Sequence, residues 1–203
     1  MKLQEGAGKG EQCCSAGTGQ AQEMTGLNGG RLKQSILAVA VAAVIAGCAS
    51  TGGGAPGAAS QLSATRGNTA SGSVTFTQRG DRVVIAASLS GLRPDAEHGF
   101  HVHEKGDCGS GDGMSAGGHF NPRAKAHAHY GSGERHAGDI PNIKTDAGGN
   151  ASYSFEIDLF TVADGAASVV GKAVVIHRDP DDYKSQPAGN SGPRIACGVV
   201  QRS

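Results

Sequence analysis

From residue 60 onward the chain breaks into short segments: "QLSAT", "GSVTFTQR", "DRVVIAASLSGL", "HGFHVHE", "NASYSFEIDL", "GKAVVIHR" and "IACGVV". Each is rich in Val, Ile, Phe or Thr, residues that fit a pleated, half-buried surface, and each is bounded by Gly, Asp, Asn or Pro, which turn the chain. The pattern predicts seven or eight strands and an all-β sandwich, not a helical bundle. Composition agrees, with 34 Gly and 7 Pro for turns and only 3 Tyr, 5 Phe and no Trp. Gly80-Asp81 within "QRGDR" predicts a hairpin turn. A length of 203 residues leaves room for one domain plus appendages. Lys+Arg and Asp+Glu balance at 18 each with no basic stripe, which argues against a nucleic-acid partner.

One predicted strand carries unusual chemistry. Residues 98–109, "HGFHVHEKGDCG", hold three of the chain's eight histidines. Alternate side chains of a strand point to opposite faces, so His101 and His103 share one face while Phe100 and Val102 share the other. His98 has the opposite parity and is expected to be a structural, hydrogen-bonded residue. Two imidazoles on one face, a strand repeat of about 7 Å apart, can grip one transition metal.

Two long stretches, Gly106 to Gly149 and Asp179 to Gly192, are polar and loop-like, and loops of that length are functional or disordered. The first offers His119, His127, His129 and His136, followed by Asp139, and a late strand ends in His177. Together with His101 and His103 that makes seven imidazoles and a carboxylate, more than one tetrahedral site can use. Two sites are therefore expected. His119, His127, His136 and Asp139 form a compact N,N,N,O set suited to zinc. His101, His103 and His177 come from strands, a rigid frame suited to a redox metal such as copper. His119 can serve both, one ring nitrogen toward each, if it loses both ring protons.

The stretches "HGFHVHEKGDC", "GGHFNPRAKAH", "ERHAGDIPNI", "VVIHRDPDD" and "GNSGPRIACGV", in that order, make the region from Ser60 to Gln201 resemble the bacterial copper,zinc superoxide dismutases. The resemblance implies an immunoglobulin-like Greek-key β-sandwich or barrel of about eight antiparallel strands, with a long metal-binding loop and a second active-site loop. It implies one copper and one zinc per subunit, copper on His101, His103, His119 and His177 and zinc on His119, His127, His136 and Asp139. His127 fits the family spacing better than its neighbour His129. Asp181, in preference to Asp182, is expected to orient one imidazole from each site. Cys108 and Cys197 are expected to pair as a disulfide closing a loop of about 90 residues, for which chain entropy gives at most roughly 4 to 5 kcal/mol.

The implied activity is dismutation of superoxide to dioxygen and hydrogen peroxide by alternate reduction and oxidation of copper, protecting the cell envelope. Zinc holds the bridging His119 and the loop. Arg194 is expected beside the copper, where a guanidinium can draw in a small anion. The charged run that precedes this arginine in eukaryotic members is replaced here by "YKSQPAGNSGP", which leaves Lys184 or Lys105 to guide substrate from a distance. A non-catalytic copper and zinc store could use the same ligands, but it gains nothing from Arg194 or a shared histidine. The family also allows a homodimer.

Ahead of the domain, "RLKQSILAVAVAAVIAGCAS" has Arg31 and Lys33, an apolar run from Ile36 to Ile45 and small residues ending at Cys48, the layout of a secretory signal. Ile45-Ala46-Gly47-Cys48 resembles a bacterial lipobox, in which the cysteine is lipidated. The expected organisation is an untranslated or spurious extension over 1–23, a start at Met24, a lipoprotein signal over 24–47, a lipid-attached Gly/Ala/Ser/Pro tether over 48–59 and the catalytic domain over 60–203. The protein is then exported and anchored to the membrane through Cys48, on the periplasmic side if the cell is Gram-negative.

Overall fold

Alternation of apolar and polar residues sets the first sheet. In a computed structural model, which describes residue 55 and residues 57–203, strand β1 runs over Gly57–Ala64, β2 over Ser71–Arg79 and β3 over Arg82–Ser90. Val74 and Phe76 of β2 and Val83, Ile85, Ala87 and Leu89 of β3 point into the core, while their neighbours along each strand face outward. Arg79 pairs with Arg82 across the two-residue turn Gly80-Asp81, as the sequence predicts. Gly80 has φ 60°, a left-handed value that tight hairpin turns require and glycine adopts without strain.

The remaining strands are β4 (Glu97–His98), β5 (Phe100–His103), β6 (Ile143–Lys144), β7 (Ala151–Ile157), β8 (Ala173–His177), β9 (Arg194–Val199) and β10 (Gln201–Arg202). One curled antiparallel sheet has the order β5-β8-β9-β1-β2-β3-β7, with β10 added against β1, and β4 pairs with β6 in a separate ribbon. β1 joins the two halves of the curl: Gly57 to Leu62 pair with β2, and Ser63 and Ala64 pair with β9. Its start lies inside the stretch expected to be tether. Ala58 is buried, because an alternating segment beside a ready sheet edge gains both ladder bonds and core contacts. The segment "HGFHVHE" is interrupted at Gly99, so His98 belongs to β4 and not to the strand that carries His101 and His103. The expected extension, signal and lipid site at 1–23, 24–47 and Cys48 lie outside the described residues.

β8 decides where the site can sit. All five of its residues are buried, and the four that precede His177 divide between two cores. Val174 and Ile176 join the main core with Phe100, Val102 and Ala196, and Phe100 meets Tyr153 edge-on at 5.3 Å between ring centroids. Ala173 and Val175 face the other way and form a small second core with Ala116 and Cys197, against Cys108. That outward face is thus covered by the long loop of residues 104–142. The disulfide Cys108–Cys197 ties the loop to β9, with 5.8 Å between Cα atoms.

Candidate metal centre

The outward face of β5 and β8 carries the strand histidines of the site. His101 pairs with Val175 and His103 with Ala173, while a register shift after Ile176 sets His177 opposite Arg194. The free edge of β5 is completed by the loop: Phe120 N–H donates to Val102 O at 2.8 Å and Val102 N–H to Gly138 O at 3.2 Å. Isolated bridges pair His101 with Asp139 and His103 with His119, so the loop residues are brought to the strand histidines by backbone pairing. Gly138 makes this approach possible, since a Cβ there would lie 2.1 Å from Val102 O.

Two donor groups result, each with its ligand atoms within 4.8 Å of one another: His101, His103, His119 and His177, and His119, His127, His136 and Asp139. Every one of these residues is buried, and His119 is their one common member.

Ring hydrogen bonds reveal which nitrogen each histidine offers. A carbonyl oxygen only accepts, so His103 donates from Nδ1 to Gly117 O at 3.0 Å and His177 donates from Nδ1 to Gly192 O at 3.1 Å. Their bare Nε2 atoms then face each other at 3.4 Å, two lone pairs with no proton to share and a shared cation as the natural resolution. His101 donates from Nε2 to Asp181 Oδ2 at 2.9 Å, and its buried Nδ1 has no hydrogen-bond partner. His119 sets Nδ1 2.7 Å from Asp139 Oδ1 and leaves a buried Nε2 unpartnered. Four imidazole nitrogens without protons are a donor set that suits copper.

The second group converges on one oxygen. Around Asp139 Oδ1 stand Nδ1 of His119 at 2.7 Å, of His127 at 3.0 Å and of His136 at 3.2 Å. The His127 contact is close but lacks hydrogen-bond geometry, so that buried nitrogen also counts as unpartnered. Asp139 Oδ2 accepts from the backbone N–H groups of His136 at 3.1 Å and Ala128 at 3.3 Å. Three imidazoles and a carboxylate, closed to solvent, match a structural zinc site.

Electrostatics follow from burial. Desolvation and neighbouring imidazoles hold His103 and His177 well below the ordinary histidine value, and His119 falls to about 3 despite the Asp139 carboxylate. These rings are neutral and their lone pairs available. His127 goes the other way, to about 9: burial opposes its charge, but the hydrogen bond to Asp181 and the carboxylate of Asp139 beside it outweigh that. Asp139 is held well below the carboxylate range, since burial, which would raise it, is overcome by hydrogen bonds from His119 and His136 and by the close His127 ring.

Residues 70–200 match the family model described as copper/zinc superoxide dismutase (SODC). The chain belongs to that family. Superoxide dismutase (Cu-Zn) 1 of Aquifex aeolicus (strain VF5) is 46% identical over 134 residues, 64% of this chain and 79% of that protein. The extracellular superoxide dismutase (Cu-Zn) of Caenorhabditis elegans is 40% identical over 135 residues, 64% of this chain and 60% of its own length. Among solved structures, a double mutant of a SOD-like protein from Bacillus subtilis superposes with a TM-score of 0.65 at 37% identity, covering 70% of this chain and 96% of that one.

The superoxide dismutase fold assembles the other expected residues around these groups. Asp181 bridges the two, its Oδ2 on His101 Nε2 and its Oδ1 on His127 Nε2 at 3.0 Å. Asp182 is exposed and caps a turn through the N–H groups of Lys184 and Ser185. Arg194 donates to Gly113 O and Gly117 O, both at 2.6 Å, and Gly117 O is also the acceptor of His103. His98 donates from Nδ1 to His177 O at 2.9 Å, a structural bond. His129 is exposed, accepts from Gly131 N–H and stacks on Tyr130, away from both groups. Lys105 and Lys184 are exposed. Asn142 and Gln186 were not singled out by sequence: Asn142 exchanges hydrogen bonds with the backbone of Asp181, and Gln186 does the same with His127. Amides in loops are common, and nothing in their spacing marks these two.

Proposed function

We propose that this chain dismutates superoxide to dioxygen and hydrogen peroxide, with copper held by His101, His103, His119 and His177 and zinc by His119, His127, His136 and Asp139. The observation that carries the reading is the single imidazole of His119 belonging to both donor groups. Bound there, copper supplies one-electron redox chemistry that no side chain of the site can supply. The residues do the rest. Carbonyl bonds from Nδ1 of His103 and His177 stop those rings from turning and keep Nε2 aimed inward. Burial keeps the rings neutral and ready as ligands. His119 Nε2 is an atom that can take up and return a proton while Asp139 steadies the ring from Nδ1. Arg194, fixed through the same carbonyl as His103, puts a permanent positive charge near the first group to draw in a small anion.

The test joins metal analysis to turnover. The protein is expected to hold one copper and one zinc and to accelerate superoxide decay, and His119→Ala, with copper content checked, is expected to lose most of that rate. Full loading with both metals but no turnover in the unsubstituted protein overturns the reading.

The disulfide belongs to a chain that matures in an oxidising compartment, which supports export. The finer reading is a lipoprotein translated from Met24, cleaved before Cys48 and lipidated there, with the sandwich tethered to the envelope membrane. Mass spectrometry of the membrane-bound protein is expected to find a diacylated Cys48 at the new N-terminus, and Cys48→Ser is expected to release the protein from membranes. Light scattering of the released protein distinguishes a monomer from the homodimer that the family allows.

A further inference from the structure

The loop between β8 and β9 grips one zinc-group histidine at three points. Asp181 Oδ1 meets His127 Nε2 at 3.0 Å, the backbone N–H of His127 donates to Gln186 Oε1 at 3.0 Å, and Gln186 Nε2 donates to His127 O at 2.7 Å. Ring, amide and carbonyl of a single residue are thus all held by one loop. The loop is built to present that grip. Asp182 caps the turn before Gln186 through Lys184 N–H and Ser185 N–H, and Gly189 N–H donates to Ser185 O at 2.7 Å, closing the turn around it. Gly189 has φ 66°, and a Cβ there would lie 1.7 Å from Asp181 Oδ1, so only glycine leaves room for the carboxylate.

The other ligands of the second group are held differently. His136 N–H and Asp139 are tied to each other within the long loop, and His119 is paired to β5. The His127 backbone is bonded instead to a side chain 59 residues away. We propose that Gln186 is a positioning residue for zinc: its amide fixes the main chain of His127 so that Nδ1 faces the other three donors. The inference rests on the assignment of His127 to zinc.

The test uses zinc itself on the full chain with copper loaded first, competed against a chromophoric chelator. Gln186→Met keeps the length of the stem and removes both hydrogen bonds. It is expected to weaken zinc about tenfold, the low end for a supporting residue because Gln186 is exposed, while moving copper affinity less than about twofold. In the zinc-loaded protein the His127 amide is expected to exchange with deuterium faster in this variant. Lys184→Ala, in the same turn, is expected to change neither. Zinc affinity within about twofold of the unsubstituted protein overturns the proposal, as does an equal loss of both metals, which would mean general loosening of the loop. If His127→Ala leaves zinc affinity untouched, the assignment of His127 to zinc fails first, an outcome distinct from a failure of Gln186 alone.

Discussion

At the scale of single residues, the site works by separating two kinds of buried group. His103, His119 and His177 are kept neutral by desolvation, whereas His127 is kept charged by two carboxylates. Zinc bound as proposed would need a deprotonated His127 and so would displace a proton held up to about pH 9. Binding to the metal-free protein is therefore expected to release a proton below that pH, with affinity rising up to tenfold per pH unit and flattening above about 9. Calorimetry near neutral pH in buffers of different ionisation enthalpy reads this proton, and heats independent of buffer count against it. Arg194 makes a second prediction. Its fork donates to two carbonyls at once, which the single ammonium of lysine cannot reproduce in the same plane. Arg194→Met is expected to slow superoxide turnover by about tenfold or more at unchanged metal content, and Arg194→Lys to fall between the two. Stopped-flow decay at two ionic strengths checks it, since a charge effect shrinks with salt.

At the scale of elements, the decisive feature is the edge of β5. A bare edge strand invites pairing, and here the loop supplies the partner through Gly118, Phe120 and Gly138. The same bonds carry His119 and Asp139 to His103 and His101. Gly138→Ala forces a carbon against Val102 O and is expected to cost about 1–3 kcal/mol. It should also release zinc more readily than an alanine placed at the open position Gly133, where a Cβ meets nothing within 4 Å. Chemical denaturation and chelator release measure the two effects, and equal behaviour of the two variants contradicts the edge argument.

For the whole molecule, the loops and the sandwich depend on one another through burial. His103, His119 and His177 have folded pKa values below the ordinary 6.5, so the unfolded chain binds more protons than the folded one beneath that pH. Their contribution is complete above about 6.5 and is lost as pH falls toward the folded values. Asp139 and Asp181, also depressed, add a loss below their ordinary 3.8. His127 runs opposite: its contribution is complete below 6.5 and disappears as pH rises through about 9. The metal-free protein is thus expected to melt at progressively lower temperature from about pH 6.5 into acid, more steeply below 3.8, with a smaller decline toward pH 9. Thermal melts of metal-stripped protein across that range test it, and a flat profile between pH 6.5 and 4 contradicts it.

Much of this was legible in the sequence for a simple reason: strand periodicity and ligand chemistry are local properties. Alternation in "DRVVIAASLSGL" marks a face, the two-residue spacing of His101 and His103 puts two rings on one side, and the Gly80-Asp81 turn follows from backbone freedom alone. Seven imidazoles in one domain require partners, whatever the fold. What the residues alone left open depended on distant backbone. The break at Gly99, the start of β1 at Gly57, the pairing of the loop with β5 and the grip of Gln186 on His127 each join segments far apart in the chain. So does the choice of nitrogen on each ring, because it is set by carbonyls and carboxylates such as Gly117 O, Gly192 O and Asp181, which only the folded chain brings within reach.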